Sequence, residues 1–183
     1  MSATQPLPGD HVMVDLECMS CEANGAITAL GASLFMGANA GQTFYRSISL
    51  TSAVAAGGHI QAETVEWWLK QDKTAQNAMM ANQVPITDAL CDFGIWLSQY
   101  TRDPHIWGNG VDFDNVILCS AYKNAGIKLP WSRKKHMCYR TLKRMYMHTV
   151  PAIGFEGVKH DALADAVHQG KYAIKMLTEG YAK

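Results

Sequence analysis

The chain has 183 residues, 48% of them hydrophobic and 17% charged, and its 16 Lys plus Arg balance 16 Asp plus Glu. That length fits one domain able to bury roughly 70% of its unfolded surface, so a core can form without disulfides. The five cysteines (Cys18, Cys21, Cys91, Cys119 and Cys138) are odd in number and scattered, which argues against a secreted disulfide scaffold and points to a reducing, cytoplasmic setting.

Residues 1–10 read as a flexible N-terminal arm, polar and without the basic region and apolar stretch of a signal peptide. Residues 11–183 read as a single domain. No apolar run reaches the ~18 residues of a membrane span, so no membrane partner is expected. Val12 to Glu17 reads as a strand, Ala26 to Met36 as a second and Thr43 to Leu50 as a third; short turns between them imply an antiparallel meander. After the small-residue loop Ala53 to Gly58 the period changes. Glu63 to Lys70 is helical, and Ile86 to Tyr100 sets Ile86, Leu90, Phe93, Leu97 and Tyr100 on one face, with Pro85 where a missing N–H costs nothing. Ile106-Trp107 is a short strand ending in Gly108-Asn109-Gly110. Asp112 to Asn124 is then a helix closed by Gly126. A brief strand at Lys135 to Cys138, a helix from Tyr139 to Met147, a loop from Thr149 to Gly157 and a terminal helix from Asp161 to Glu179 complete the pattern. Three meander strands followed by helices alternating with two more strands predict an α/β fold, a mixed five-stranded sheet with helices on its faces.

Asp15 and Glu17 interrupt an otherwise apolar strand. Residues two apart in a strand point to one face, roughly 6 to 7 Å apart, where two like charges repel by roughly 3 kcal/mol at an effective dielectric of about 20. A cation between them relieves that repulsion; an edge strand with both acids in water is the ordinary alternative. Asp114, two residues beyond Asp112 in the turn after Gly108-Asn109-Gly110, stands where open α/β sheets place their sites, although an acid there also suits a helix dipole. His160 and Asp165 flank the start of the last helix, and Asp165 falls one turn beyond Asp161. Simple acid enrichment at a helix start would produce the same pattern.

Charge is segregated along the chain. No Asp or Glu occurs from Asn115 to Phe155, while Lys123, Lys128, Arg133, Lys134, Lys135, Arg140, Lys143 and Arg144 give +8; eight basic residues then face all 16 acidic ones elsewhere, leaving −8. An anionic polymer rewards such segregation, and the interleaved Trp131, His136, Tyr139, Tyr146 and His148 tilt the reading from a solvated face toward nucleic acid. Cys18-x-x-Cys21 has no second close pair to complete a zinc ribbon, and His136-x-Cys138 has the wrong spacing.

Taken together, Asp15, Glu17, Asp114, His160 and Asp165 resemble, in order and spacing, the motifs of the DEDDh (DnaQ-like) 3'-5' exonucleases of the RNase H-like superfamily. Thr64-Val65-Glu66-Trp67-Trp68, Gly108-Asn109-Gly110 and Cys138-Tyr139-Arg140-Thr141-Leu142 are similar to the branch of small phage-type exonucleases and exoribonucleases. The likeness runs from about Val12 to Leu177. It implies an RNase H-like fold and a metal-dependent 3'-5' exonuclease acting on single-stranded DNA or RNA with a free 3' end.

The resemblance assigns Asp15, Glu17, Asp114 and Asp165 to two divalent cations, Mg²⁺ or Mn²⁺. Oxygen-only ligands suit those ions better than Zn²⁺, and a pair about 3.5 to 4 Å apart both activates the water and stabilises the leaving oxygen. His160 is assigned the general base, a role an imidazole with its ordinary pKa of about 6.5 fills near neutrality. Substrate contacts fall to Cys18, Met19, Trp67, Trp68, Asn109 and Arg140. Two adjacent tryptophans on a helix cannot both face the core, so one is available to stack on a base. Cys18 departs from the threonine common after Asp-x-Glu, which bears on substrate choice. A homodimer is compatible with the resemblance. A non-catalytic nucleic-acid-binding module and an RNase H-like endonuclease are the rival readings.

Overall fold

The computed structural model describes residues 7–180. Its sheet has the order β3-β2-β1-β4-β5, with β1 His11–Cys18, β2 Ile27–Met36, β3 Thr43–Ser47, β4 His105–Gly108 and β5 His136–Cys138. The first three strands pair antiparallel, and β4 and β5 add in parallel, so the expected meander plus parallel strands is the observed topology. β1 is central because both its edges are taken. Its alternation then divides the molecule into two layers: Val12, Val14 and Leu16 join the core beneath α4 (Ile86–Tyr100) and α5 (Val116–Asn124), while Met13 joins a second core with Tyr172, Ala173 and Met176 of α7 (Ala162–Glu179). Asp15 and Glu17 continue the Met13 face and therefore look toward α7.

Close approach of α7 depends on two missing side chains. Gly31 of β2 lies opposite Asp15 in register, and a Cβ there would collide with the Ala162 backbone. A Cβ at Gly170 would come within 2.9 Å of the Phe35 Cβ. With both absent, the helix settles directly on the sheet.

Several elements differ from expectation. The third strand ends at Ser47, and Leu50–Ala55 is instead a short helix, α1, capped by the Ser49 hydroxyl. α2 spans Ala62–Leu69. α3, Lys73–Met80, was not expected; Asp72 caps it by accepting from the Thr74 amide at 2.7 Å. The helix after β4 opens with a π-turn, Val111–Asn115, before α5. α6 covers Tyr139–Tyr146, and α7 begins one residue later than expected because Asp161 is its cap. Trp131 and Tyr139, expected among the displayed aromatics of the basic segment, are 7% and 3% exposed and belong to the cores, since large rings stabilise most where water is excluded.

Residues 1–6 of the expected arm lie outside the described residues; the next four include Leu7, packed on the second core, and Asp10, whose carbonyl accepts from the His105 amide at 2.8 Å. Among the described residues, no helix is long and apolar enough to cross a membrane, and the five cysteines are free thiols.

Candidate active site

Four acids converge at the carboxyl ends of β1 and β4. Strand alternation sets Asp15 and Glu17 on the α7 side, and α7 returns Asp165 from its first turn; one carboxylate oxygen from each of these three lies within 4.8 Å of the others. Asp114 arrives by a different route. Its Oδ1 accepts from the Leu16 amide at 3.2 Å, between the two β1 acids, and its Oδ2 accepts from the Asn109 amide at 2.7 Å. The π-turn that carries it folds back tightly over Gly108, where a Cβ would lie 2.8 Å from the Asp114 Cβ and 2.5 Å from Asn115 Oδ1. Glycine at 108 is thus required by that approach.

The electrostatics follow from burial. Desolvation first, then the Asp114, Glu17 and Asp165 carboxylates, raise the Asp15 pKa well above the usual carboxylate range. Glu17 is pushed up to about 8 by desolvation and by Asp165, Asp114 and Asp161. Asp114 is pushed up to about 7 by desolvation, against the pull of its two amide donors, and desolvation also raises Asp165. Glu17 Oε1 is buried with no hydrogen-bond partner among the described residues. A cluster of like-charged oxygens, one of them orphaned, fits a hard divalent cation, whose preferred ligands are oxygens and whose charge would reverse each of these shifts.

His160 adopts φ +63°, the left-handed region. In that conformation its amide donates to Asp165 Oδ2 at 2.9 Å, tying it to the acid five residues on. Its ring meets Trp67 edge-on, with centroids 4.9 Å apart. Asp161 caps α7 by accepting from the Ala164 amide at 2.9 Å.

The tryptophan pair divides as expected from its adjacency. Trp68 is 4% exposed and donates its indole N–H to the Cys18 carbonyl at 3.0 Å, while Trp67 is 41% exposed. A cavity of about 490 Å³ opens beside them, lined by Glu17, Cys18, Glu63, Trp67, Trp68 and Phe113 among others. Met19 is not at this cavity. Its amide donates to the Ala26 carbonyl, its carbonyl accepts from the Gln61 amide and its side chain is buried. Asn109 and Arg140 sit together on the Asp114 side: Arg140 Nη2 donates to the Asn109 carbonyl at 2.6 Å, and Nη1 lies 3.8 Å from Asp112. In the basic segment Arg133, Lys134, Lys143 and Arg144 are exposed, whereas Lys135 pairs with Asp103.

Gln169 has no counterpart in the sequence expectations. It is 5% exposed and donates to Asp15 Oδ1 at 2.7 Å. Its only sequence signal is its spacing, one helical turn after Asp165 on the same face.

A family model, the 3'-5' exoribonuclease Rv2179c-like domain, matches residues 10–177. The chain belongs to this family. As a member it is a 3'-5' exonuclease acting on nucleic acid, and its fold is the RNase H-like one. Among solved structures it is similar to the nuclease domain of 3'hExo, a DEDDh family member bound to rAMP, at 12% identity, covering 94% of this chain and 93% of that one with a TM-score of 0.63. A search of curated proteins finds no match.

Proposed function

We propose that the chain removes nucleoside 5'-monophosphates stepwise from the 3' end of single-stranded nucleic acid, with RNA the preferred strand. The observation that supports this most is the meeting of the Asp15, Glu17 and Asp165 carboxylates with the His160 loop beside a cavity of about 490 Å³, a volume suited to one nucleotide. The family description, which names exoribonucleases, favours RNA.

Asp15, Glu17, Asp114 and Asp165 would hold two divalent cations, Mg²⁺ or Mn²⁺, which when bound supply charge neutralisation at the phosphoryl oxygens and a more acidic attacking water. His160 takes the proton from that water; its tether to Asp165 keeps the imidazole loop at the acid cluster. Trp67, exposed at the cavity wall, stacks on the terminal base, and Trp68 braces the Cys18 carbonyl behind it. Cys18 lines the pocket next to Glu17 and contacts the terminal sugar. Asn109 positions Asp114 through its amide, Arg140 holds Asn109 and faces the incoming phosphates, and the exposed cations of the basic segment grip the upstream strand.

Digestion of matched RNA and DNA oligonucleotides labelled at the 5' end tests the reading. With Mg²⁺ or Mn²⁺ a ladder shortening from the 3' end is expected, faster on RNA, and absent for Asp15→Ala. Internal cuts in a circular strand would overturn it.

A further inference from the structure

Gln169 has only one end of its amide engaged. Nε2 donates to Asp15 Oδ1 at 2.7 Å, while Oε1 is buried without a partner among the described residues and the residue is 5% exposed. A buried acceptor without a donor destabilises the fold, and an apolar side chain of the same size would fill this helix-to-sheet contact without that penalty. What the amide adds over such a side chain is its N–H on Asp15. The close seating of α7, permitted by Gly31 and Gly170, brings a residue one turn beyond Asp165 within reach of the central strand.

We infer that Gln169 is a positioning residue for Asp15: its N–H fixes one carboxylate oxygen and thereby aims the other into the cluster formed with Glu17 and Asp165. The inference rests on the reading of Asp15 as a cation ligand. Neutrality is central to the role. A lysine or arginine here would bond Asp15 more strongly but would place a permanent positive charge where a divalent cation is to bind, whereas another carboxylate would add to the repulsion. A carboxamide holds the oxygen and does neither. Donors of this kind around metal-binding side chains are worth about 10-fold to 100-fold in metal affinity.

Calorimetric titration of Mn²⁺ into the purified wild type, Gln169→Met and Asp15→Ala, alongside steady-state kinetics at varied Mn²⁺, tests the role. Gln169→Met is expected to weaken Mn²⁺ binding about 10-fold to 100-fold and to raise the half-saturating Mn²⁺ concentration by the same factor. At saturating Mn²⁺ its kcat should recover and its KM for the strand should match the wild type. A merely structural glutamine would lower the melting temperature and leave Mn²⁺ affinity unchanged, and that result overturns the inference. Should Gln169→Met lack a cooperative melt, Gln169→Asn, which keeps the amide but shortens its reach, carries the same expectation. If Asp15→Ala binds Mn²⁺ as the wild type does, the ligand reading of Asp15 fails and the role of Gln169 fails with it; loss in Asp15→Ala with none in Gln169→Met and Gln169→Asn overturns the Gln169 role alone.

Discussion

The two ends of the β1–β4 pair bury titratable side chains with opposite outcomes. At the amino end, His11 is 1% exposed; its Nδ1 accepts the Trp107 indole N–H at 3.0 Å, its Nε2 lies 3.3 Å from the Pro8 carbonyl, and its ring stacks on His105 at 4.5 Å. Desolvation, helped by His105, lowers its pKa to about 4, so the ring is neutral near pH 7 and both nitrogens are bonded. At the carboxyl end the same desolvation raises the pKa values of Asp15, Glu17, Asp114 and Asp165, neighbouring carboxylates push Asp15 and Glu17 further, and Glu17 Oε1 has no partner among the described residues. His11 gives up its charge and is complete. The acids crowd together with raised pKa values and one unbonded oxygen, an arrangement that fits a divalent cation.

Substitutions can break that contrast in order of effect. Asp15→Ala should lower exonuclease activity by about 10³-fold or more, because metal-supplied charge stabilisation is worth several kcal/mol and each ~1.4 kcal/mol is tenfold. The metal-free fold should persist, with a loss of about 1–3 kcal/mol because the buried Gln169 N–H loses its acceptor; a collapse of the fold would place Asp15 with the structural group instead. His160→Ala should lower kcat by about 10²-fold, within the range of a lost general base, while KM changes little.

The tryptophans sharpen the comparison within one dipeptide. Trp67→Ala should raise KM about tenfold, as expected for a lost base stack of about 1–3 kcal/mol, with the melting temperature nearly constant. Trp68→Ala should instead destabilise the fold by about 3–5 kcal/mol, read in a denaturant melt.

Proton linkage gives an effect with a definite sign. Glu17 keeps its proton up to about pH 8 when folded but loses it near its ordinary 4.5 when unfolded. Between those values the folded, metal-free chain binds more protons, so its stability falls as pH rises through that window and levels off above it. Saturating Mg²⁺ should reverse the trend, because cation replaces proton; thermal melts in a chelator and in Mg²⁺ across that range check both limbs. The smallest change is expected at the other end. Trp107→Phe leaves His11 Nδ1 without its donor and should cost about 1–3 kcal/mol of stability with kcat unaltered.

Legibility in the sequence followed the range of the interactions. Ile86–Tyr100 emerged with the expected bounds because a 3.6-residue apolar period depends only on the segment itself. The face shared by Asp15 and Glu17 was readable for the same reason, through the period of two. Leu50–Ala55 escaped because its small residues carry no period, and its start depends on a Ser49 cap. The π-turn at Val111–Asn115 carries Asp114 to the Leu16 amide, 98 residues away, a bond that spacing along the chain cannot express. Trp131 and Tyr139 looked like displayed aromatics because burial is a property of packing. Gln169 was silent for the deepest reason: its partner is 154 residues away, and only the seating of α7 on two glycines brings them together.

The claim that the acid cluster awaits a divalent cation is tested most directly by calorimetric titration of Mn²⁺ into the metal-free chain at pH 7, in two buffers of different ionisation enthalpy. Saturable binding accompanied by proton release is expected, because Glu17 and its neighbours hold protons that the cation must displace. Absence of binding at millimolar Mn²⁺, or binding with no proton released, would contradict it.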